Sequence, residues 1–524
     1  MRRRPNMVSF LILAVVALNG HTSSVAASGM RSDRHRSIAT TSPLTRVAID
    51  SLRSNIRRRM AVEKVPSLAV AVARQGRIVW EEGFGQADRE RGIPATARTL
   101  YSIASISKPI TATALMTLVE RNKIDLDRPA NDYLGTPGII GLAGDASAAT
   151  VRRVLSHTAG LPPYVRFSFE NDTTAHADLD RAIAHYAIVV YPPGRVYDYS
   201  NLGYGLAARI IERASGVRYE DYVRSEVFIP LGMTTSTIGT GAGIPNAAVR
   251  YSPEGQPLPF YDTDHRGASG VYASAHELVR FAMFQLRDHL GDQKRILADR
   301  TIEAMQHIET PADSTQGYGL GFDIGREGSR KLVMHNGGMP GVEATLRLYP
   351  SEDVAIVVLT NSENSASSDV ADAIRDALFS SDQRPGREET ASDTVTTNEP
   401  DPFSAPPALL GLWTGTVRMF DGTMIPLAVR VKPDDVHVRL GGPGTFTTVL
   451  NRPQFISGIQ VLTGLLAASI PSEDTRALPY YVRLTLWYDG ERLRGHASAV
   501  LTDTPGGASL PAYAELQRST ATSR

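Results

Sequence analysis

The chain of 524 residues carries 55 basic and 55 acidic side chains, with 42% hydrophobic and 21% charged residues. Its length exceeds one ordinary domain of about 150 residues and predicts two or three, and its composition is that of a globular protein able to bury a full core. Zero net charge supplies no basic surface for nucleic acid, and the lack of cysteine excludes disulfides, thiolate nucleophiles, cysteine metal ligands and lipid attachment through an N-terminal cysteine.

Residues 1–27 read as an export signal: Arg2, Arg3 and Arg4 form a positive head, Met7 to Leu18 an apolar run, and Ser24 to Ala27 a small-residue segment. The run is shorter than the roughly 20 apolar residues that cross a bilayer. A secreted or periplasmic protein without a transmembrane span in its mature form is the expectation. Val65 to Gly85 then reads as two apolar strands joined by a turn at Gln75-Gly76.

The next stretch, Leu100 to Glu120, organises the rest. Ser105 lies three residues before Lys108 at the head of an apolar, helix-length run whose Ile110, Leu115, Met116, Leu118 and Val119 are predicted to form a buried face. Pro109 is tolerated in the first turn of a helix, which places Ser105 at its start. The unpaired N–H groups and positive dipole end there favour developing negative charge. A hydroxyl held beside an amine that can take its proton is the core of an activated nucleophile. Of the six lysines, Lys108 alone has a serine three residues before it.

Val151 to Leu161 predicts a short helix stopped by Gly160 and Pro162. Tyr199-Ser-Asn201 is the only Tyr-x-Asn in the chain, and a phenol close to an ammonium is expected to ionise below its usual pKa of about 10. Four strand-like segments follow at 317–324, 331–335, 343–349 and 353–361, with a last helix from about Ser367 to Phe379. His335-Asn336-Gly337-Gly338 ends the second of these, where glycines let a substrate lie against a strand edge. His265-Arg-Gly267 and His289-Leu-Gly291 share the His-x-Gly pattern, but neither follows an apolar strand.

Hairpin, helical middle, meander and helix together predict an α+β domain over 44–380 whose sheet is built from both ends. Residues 381–407 carry almost no large apolar side chain and read as a linker. Beyond them, period-two segments such as 412–417, 425–431, 436–440 and 480–487 predict a separate small all-β domain, a barrel or sandwich, over 408–519.

Ser105-Ile-Ser-Lys108, Tyr199-Ser-Asn201 and His335-Asn-Gly337, in this order, resemble the serine β-lactamase and penicillin-binding-protein superfamily, in the branch of class C β-lactamases, D-Ala-D-Ala carboxypeptidases and related esterases. Ser156-His-Thr-Ala-Gly-Leu161, Gly267-Ala-Ser-Gly-Val-Tyr-Ala-Ser274 and Tyr318-Gly-Leu-Gly-Phe322 look like further landmarks of that family. The resemblance implies a β-lactamase/transpeptidase-like antiparallel sheet flanked by helices. It makes Ser105 the acylated nucleophile, gives Lys108 and Tyr199 the proton transfers, and forms the oxyanion hole from the N–H groups of Ser105 and Gly338. Asn201, His335, Asn336 and Gly337 would contact the substrate.

Taken singly, Tyr199 also fits a core tyrosine, Asn201 a cap and His335 a strand histidine; the ordered set fits a site. Class C β-lactamases carry lysine where His335 stands, so the motif is nearer the peptidase and esterase members. Residues 412–417 resemble the lipocalin-like β-domains sometimes appended to this family. An exported serine hydrolase of esters or amides is therefore expected, acting on a D-amino acid peptide, a small ester or a β-lactam. The alternative is a penicillin-binding sensor or binding protein that is acylated or binds without turnover. No metal or cofactor is expected, since the twelve histidines form no ligand spacing; the partner is a small molecule or peptide.

Overall fold

The computed structural model describes residues 44–170, 178–288, 290–311, 316–379, 402–442, 448–470, 480–501 and 508–519. The export signal and most of the linker lie outside them. No helix among the described residues is long and apolar enough to cross a membrane.

Strands from both ends of the first unit form one sheet: β1 (Ser67–Arg74), β2 (Arg77–Asp88), β3 (Ile93–Pro94), β4 (Thr310–Pro311), β5 (Gly317–Tyr318), β6 (Asp323–Glu327), β7 (Arg330–Met339), β8 (Val342–Tyr349) and β9 (Val354–Thr360). Their order across the sheet is β4-β5-β6-β7-β8-β9-β1-β2-β3. Gln75 (φ 48°) and Gly76 (φ 73°) supply the two left-handed residues that a tight hairpin turn between β1 and β2 requires. The central strands are buried on both faces, so they read as continuous apolar runs.

Period two divides these strands between two cores. Leu68, Val70, Val72, Ile356 and Val358 face helices α1 (Arg46–Val62) and α8 (Ala366–Leu378). Ala69, Ala71, Ala73, Ala355 and Val357 face the helical middle. That middle holds α2 (Ser107–Glu120), α3 (Val151–Leu155), α4 (Leu179–Tyr186), α5 (Asn201–Ser215), α6 (Arg266–Ser269) and α7 (Ala275–Gln285).

Two elements depart from the sequence pattern. Helix α2 has no exposed face: Ser107 to Leu118 are all buried, and only Val119 of the predicted face is partly exposed. Thr111, Thr113 and Thr117 tolerate burial because their hydroxyls donate to the carbonyls of Ser107, Pro109 and Ala114 at 3.0, 2.8 and 2.7 Å. Helix α3 stops at Leu155 instead of running to Leu161. His157 (φ 59°) and Gly160 (φ 76°) reverse the chain there, and a Cβ on Gly160 would lie 2.1 Å from the Tyr191 carbonyl oxygen.

The second unit is all β: β10 (Gly411–Arg418), β11 (Met424–Val431), β12 (Val436–Leu440), β13 (Thr448–Val449), β14 (Asn451–Ile456), β15 (Val461–Leu466), β16 (Tyr480–Tyr488), β17 (Arg492–Leu501) and β18 (Ala508–Arg518). The sheet runs β13-β12-β11-β10-β18-β17-β16-β15-β14. Its two edge strands are consecutive in sequence, so it curls into a nearly closed barrel. Trp413 is buried in its core, with Nε1 donating to the Leu409 carbonyl at 2.8 Å and the Arg518 guanidinium 4.4 Å from its ring. The barrel docks on the first unit. Val165 and Ser509 exchange backbone hydrogen bonds of 3.1 and 2.9 Å, and His185 stacks on Phe420 at 3.9 Å.

Strand β7 and the short 3-10 turn Ala104–Ile106 at the head of α2 meet without an intervening side chain. A Cβ on Gly337 would lie 2.2 Å from the Ile103 carbonyl oxygen, a contact backbone atoms cannot give way to. Gly337→Ala should therefore cost about 1–3 kcal/mol in urea unfolding, the usual penalty of overpacking; unchanged stability would show that the turn can retreat from the strand.

Candidate active site

Ser105 follows Ala104, which holds a left-handed φ of 46° without being glycine. Such backbone is tolerated only where the surroundings fix it. Ile103 N–H to the Val271 carbonyl at 3.0 Å and Gly337 packed against Ile103 provide that restraint. The turn raises Ser105 between buried neighbours and runs directly into α2, so Lys108 falls one turn further on.

Lys108 is fully buried. Its Nζ lies 3.1 Å from Ser105 Oγ, 2.8 Å from Asn201 Oδ1 and 3.2 Å from the Ala268 carbonyl oxygen. Burial pushes its pKa well below the ordinary lysine value, against the opposing pull of the Asp323 carboxylate. In the neutral amine, two N–H groups serve Asn201 and Ala268 and the lone pair faces the Ser105 hydroxyl.

Three helices deliver these partners. Asn201 opens α5, capped by Ser200, whose Oγ accepts from Gly203 N–H at 3.2 Å and donates to the Pro162 carbonyl at 3.0 Å. Asn201 Nδ2 donates to the Tyr164 carbonyl at 3.3 Å. Ala268 belongs to α6, which packs so closely on α5 that a Cβ on Gly267 would lie 2.2 Å from the Tyr204 carbonyl oxygen.

The Tyr199 phenol faces Ser105, which favours its ionised form. Contrary to the sequence expectation, its pKa is raised, because burial outweighs every favourable interaction. Lys108 Nζ sits over the face of the ring, 4.6 Å from its centre, and not beside the hydroxyl. Tyr199 is a neutral phenol in contact with the serine.

His335 is buried with Nε2 3.1 Å from the Tyr318 hydroxyl and Nδ1 2.7 Å from the Asn336 carbonyl oxygen. The carbonyl can only accept, so Nδ1 carries the proton and Tyr318 donates to Nε2. Burial and Lys108 lower the His335 pKa to about 3, leaving the ring neutral. Asn336 alternates with His335 along β7, on the face that carries Met334, so its side chain and that of His335 leave the strand on opposite faces. Its Oδ1 is enclosed without a hydrogen-bond partner.

Strand β6 pairs with β7 only up to Met334, while β8 accompanies β7 to Met339. Residues 335–339 thus leave one side of β7 without a strand partner among the described residues, beside the Ser105 turn. A Cβ on Gly338 would meet nothing within 4 Å.

Three groups escaped the sequence reading. Asp323, at the start of β6, is pushed up to about 7 by burial, opposed by Lys108; nothing in its local sequence distinguishes it. Tyr318 and His157 were visible only as parts of landmark motifs. The His157 ring stacks 4.3 Å from Tyr199 and 4.7 Å from Tyr318, while its Nδ1 accepts from Ser200 N–H at 3.1 Å. It is a platform that fixes the ring of Tyr199. His265, set aside in sequence, is buried against Thr263 and Asp264 at 2.8 and 2.9 Å.

A central sheet flanked by helices on both faces, with serine, lysine and tyrosine meeting at a free strand edge, defines the serine-hydrolase fold of the penicillin-binding type. Residues 52–380 match the family profile described as Beta-lactamase, and the chain belongs to that family. It is 26% identical over 317 residues to penicillin-binding protein 4* of Bacillus subtilis, covering 56% of this chain and 68% of that protein. The octameric penicillin-binding protein homologue of Pyrococcus abyssi shares the fold over 90% of this chain and 100% of that one, with a TM-score of 0.55 and 23% identity. The class C β-lactamase of Rhodobacter sphaeroides covers 63% of this chain and 98% of its own, with a TM-score of 0.52 and 22% identity.

Asp323 and Lys108 report on each other. The carboxylate favours the ammonium form, so Asp323→Asn should move the Lys108 titration to lower pH. With only six lysines in the chain, carbon-13 lysine labelling resolves this by NMR, and an unmoved Lys108 resonance would separate the two groups.

Proposed function

We propose that this chain is an exported serine hydrolase that cleaves an ester or amide through an acyl-enzyme on Ser105, with a D-amino acid peptide or small ester as substrate in preference to a β-lactam. The observation that carries this reading is the buried Lys108 amine, 3.1 Å from Ser105 Oγ and depressed in pKa by desolvation. Such an amine is neutral enough to act as a base.

As Oγ bonds to the substrate carbonyl carbon, its proton passes to Lys108 Nζ, and the N–H groups of Ser105 and Gly338 receive the developing oxyanion. Tyr199, a neutral phenol on the same hydroxyl, gives its proton to the leaving oxygen or nitrogen as the bond to carbon breaks, and is reprotonated from Lys108. Water then repeats the attack with the same groups and frees Ser105. Asn201 and the open edge at 335–339 hold the substrate backbone, with His335 lining the site.

The substrate preference rests on charge. A fixed cation beside the strand would hold a β-lactam carboxylate, and the neutral His335 supplies none. The apolar segment ahead of residue 28 supports export, and residues 44–380, 381–407 and 408–519 are assigned as hydrolase domain, linker and β-domain.

Intact-protein mass spectrometry after brief exposure to a fluorophosphonate, a penicillin and a p-nitrophenyl ester tests the reading. Wild type should gain a fluorophosphonate adduct and an ester adduct that clears with release of product. Ser105→Ala should gain neither while keeping its melting temperature, since the small hydroxyl contributes little to the core. Adducts retained in Ser105→Ala would refute the nucleophile, and a penicillin adduct that never clears, without ester turnover, would favour a sensor.

A further inference from the structure

The barrel touches the proposed site through its own side chains. His496, on β17, is almost completely buried at the junction of the two units. Its Nε2 lies 3.4 Å from Oδ2 of Asp198, the residue immediately before Tyr199. Neither atom makes a well-formed hydrogen bond, so within this enclosed space the 3.4 Å contact is what each has to offset its burial. His496 Nδ1 is fixed 2.7 Å from Ser498 Oγ, which aims Nε2 at the carboxylate.

Asp198 is tied on its other sides to the first unit. Its backbone N–H donates to the His157 carbonyl at 2.9 Å, and its carboxylate faces the buried Tyr191 phenol, whose pKa burial and this charge push up. The His157 ring is the one stacked on Tyr199. A second barrel contact reaches the other end of the motif. The backbone pair between Ser509 and Val165 adjoins Tyr164, whose carbonyl holds Asn201 Nδ2. The barrel thus grips both sides of Tyr199-Ser-Asn201, each time one residue away from a group of the site.

We propose that His496 is a positioning residue supplied by the β-domain, holding Asp198 so that Tyr199 stays on Ser105. This inference rests on the hydrolase reading above. The coil before α5 is held from the first unit by His157, through its ring on Tyr199 and its bonds to Asp198 and Ser200, and the Asp198 side chain is the anchor left for the barrel to supply. A shift of about 1 Å at a reacting group is enough to cost roughly 100-fold in rate.

The test uses the full chain and reads two rates: fluorophosphonate labelling of Ser105, and kcat and KM for a p-nitrophenyl ester. Wild type beside Ser105→Ala establishes first whether the serine reacts. His496→Leu should then lower kcat at least 10-fold with KM changed less than threefold. His496→Gln, which keeps a donor for Asp198, should recover most of that loss. Asp198→Asn should be slow as well, and His496→Leu combined with Asp198→Asn no slower than the slower single variant, because the two act as one unit. Far-ultraviolet circular dichroism and melting curves accompany each variant. If labelling of wild type depends on Ser105 but His496→Leu reacts at the wild-type rate, the positioning role is overturned and the hydrolase reading stands. Equal loss in His496→Leu and His496→Gln, or fully additive losses with Asp198→Asn, would overturn it too. A wild type that is not labelled at Ser105 would remove both.

Discussion

A lysine with no solvent exposure at the centre of the first unit sets the terms for everything around it. Moving an ammonium out of water costs several kcal/mol even after relaxation, so an interior lysine either neutralises or gathers compensating partners. Lys108 does both. Its pKa is depressed, and Ser105, Asn201 and Ala268 take up its three hydrogen-bonding directions. Those partners come from three separate helices, so the amine is also the point at which the helical middle is cross-linked. Losing the Asn201 or the Ala268 partner would leave a buried N–H of the amine unsatisfied, which is why the packing of α2, α5 and α6 cannot be separated from the chemistry at their meeting point.

Backbone geometry does what side chains cannot in so crowded a place. Ala104 adopts a conformation that few non-glycine residues accept, and Gly337 lets a strand edge approach the serine turn to within the reach of a single atom. Gly321 (φ 93°) brings the loop before β6 onto α2, where a Cβ would lie 2.9 Å from Ala112 Cβ. Strain at Ala104 persists because the strand on one side and Val271 on the other leave the turn no alternative.

How much of this was legible depended on whether a feature is local. The Ser105–Lys108 pair stood out because lysine is rare in this chain, and the meander at 317–361 because buried strands are written as apolar runs. The order of the three motifs singled out residues that the fold brings together around Lys108. What failed were inferences that needed the surroundings. Tyr199 looked acidic because an ammonium was near, but burial raises a phenol and also disfavours the charged form of Lys108. Helix α2 looked one-faced because its threonines counted as polar, although their hydroxyls spend their capacity on the preceding turn. Asp323 and His496 carry no motif, and what each faces is set only where a strand meets a segment distant in sequence.

The electrostatic balance of the site follows from the same constraint. His335 is held neutral by burial and by Lys108, and Tyr199 by burial, while Asp323, with a pKa of about 7, is the group left to change charge near neutrality. When Asp323 is ionised it favours the ammonium; when it takes a proton, Lys108 is released toward the free base. Ionised Asp323 thus opposes proton loss from Lys108, whereas a protonated Lys108 favours proton loss from Asp323, and neither can be tuned without moving its neighbour. A fixed cation at the His335 position would weaken Asp323 as a counterweight and depress Lys108 further still. With a neutral imidazole there, the lysine and the aspartate are left to set the charge of the site between them.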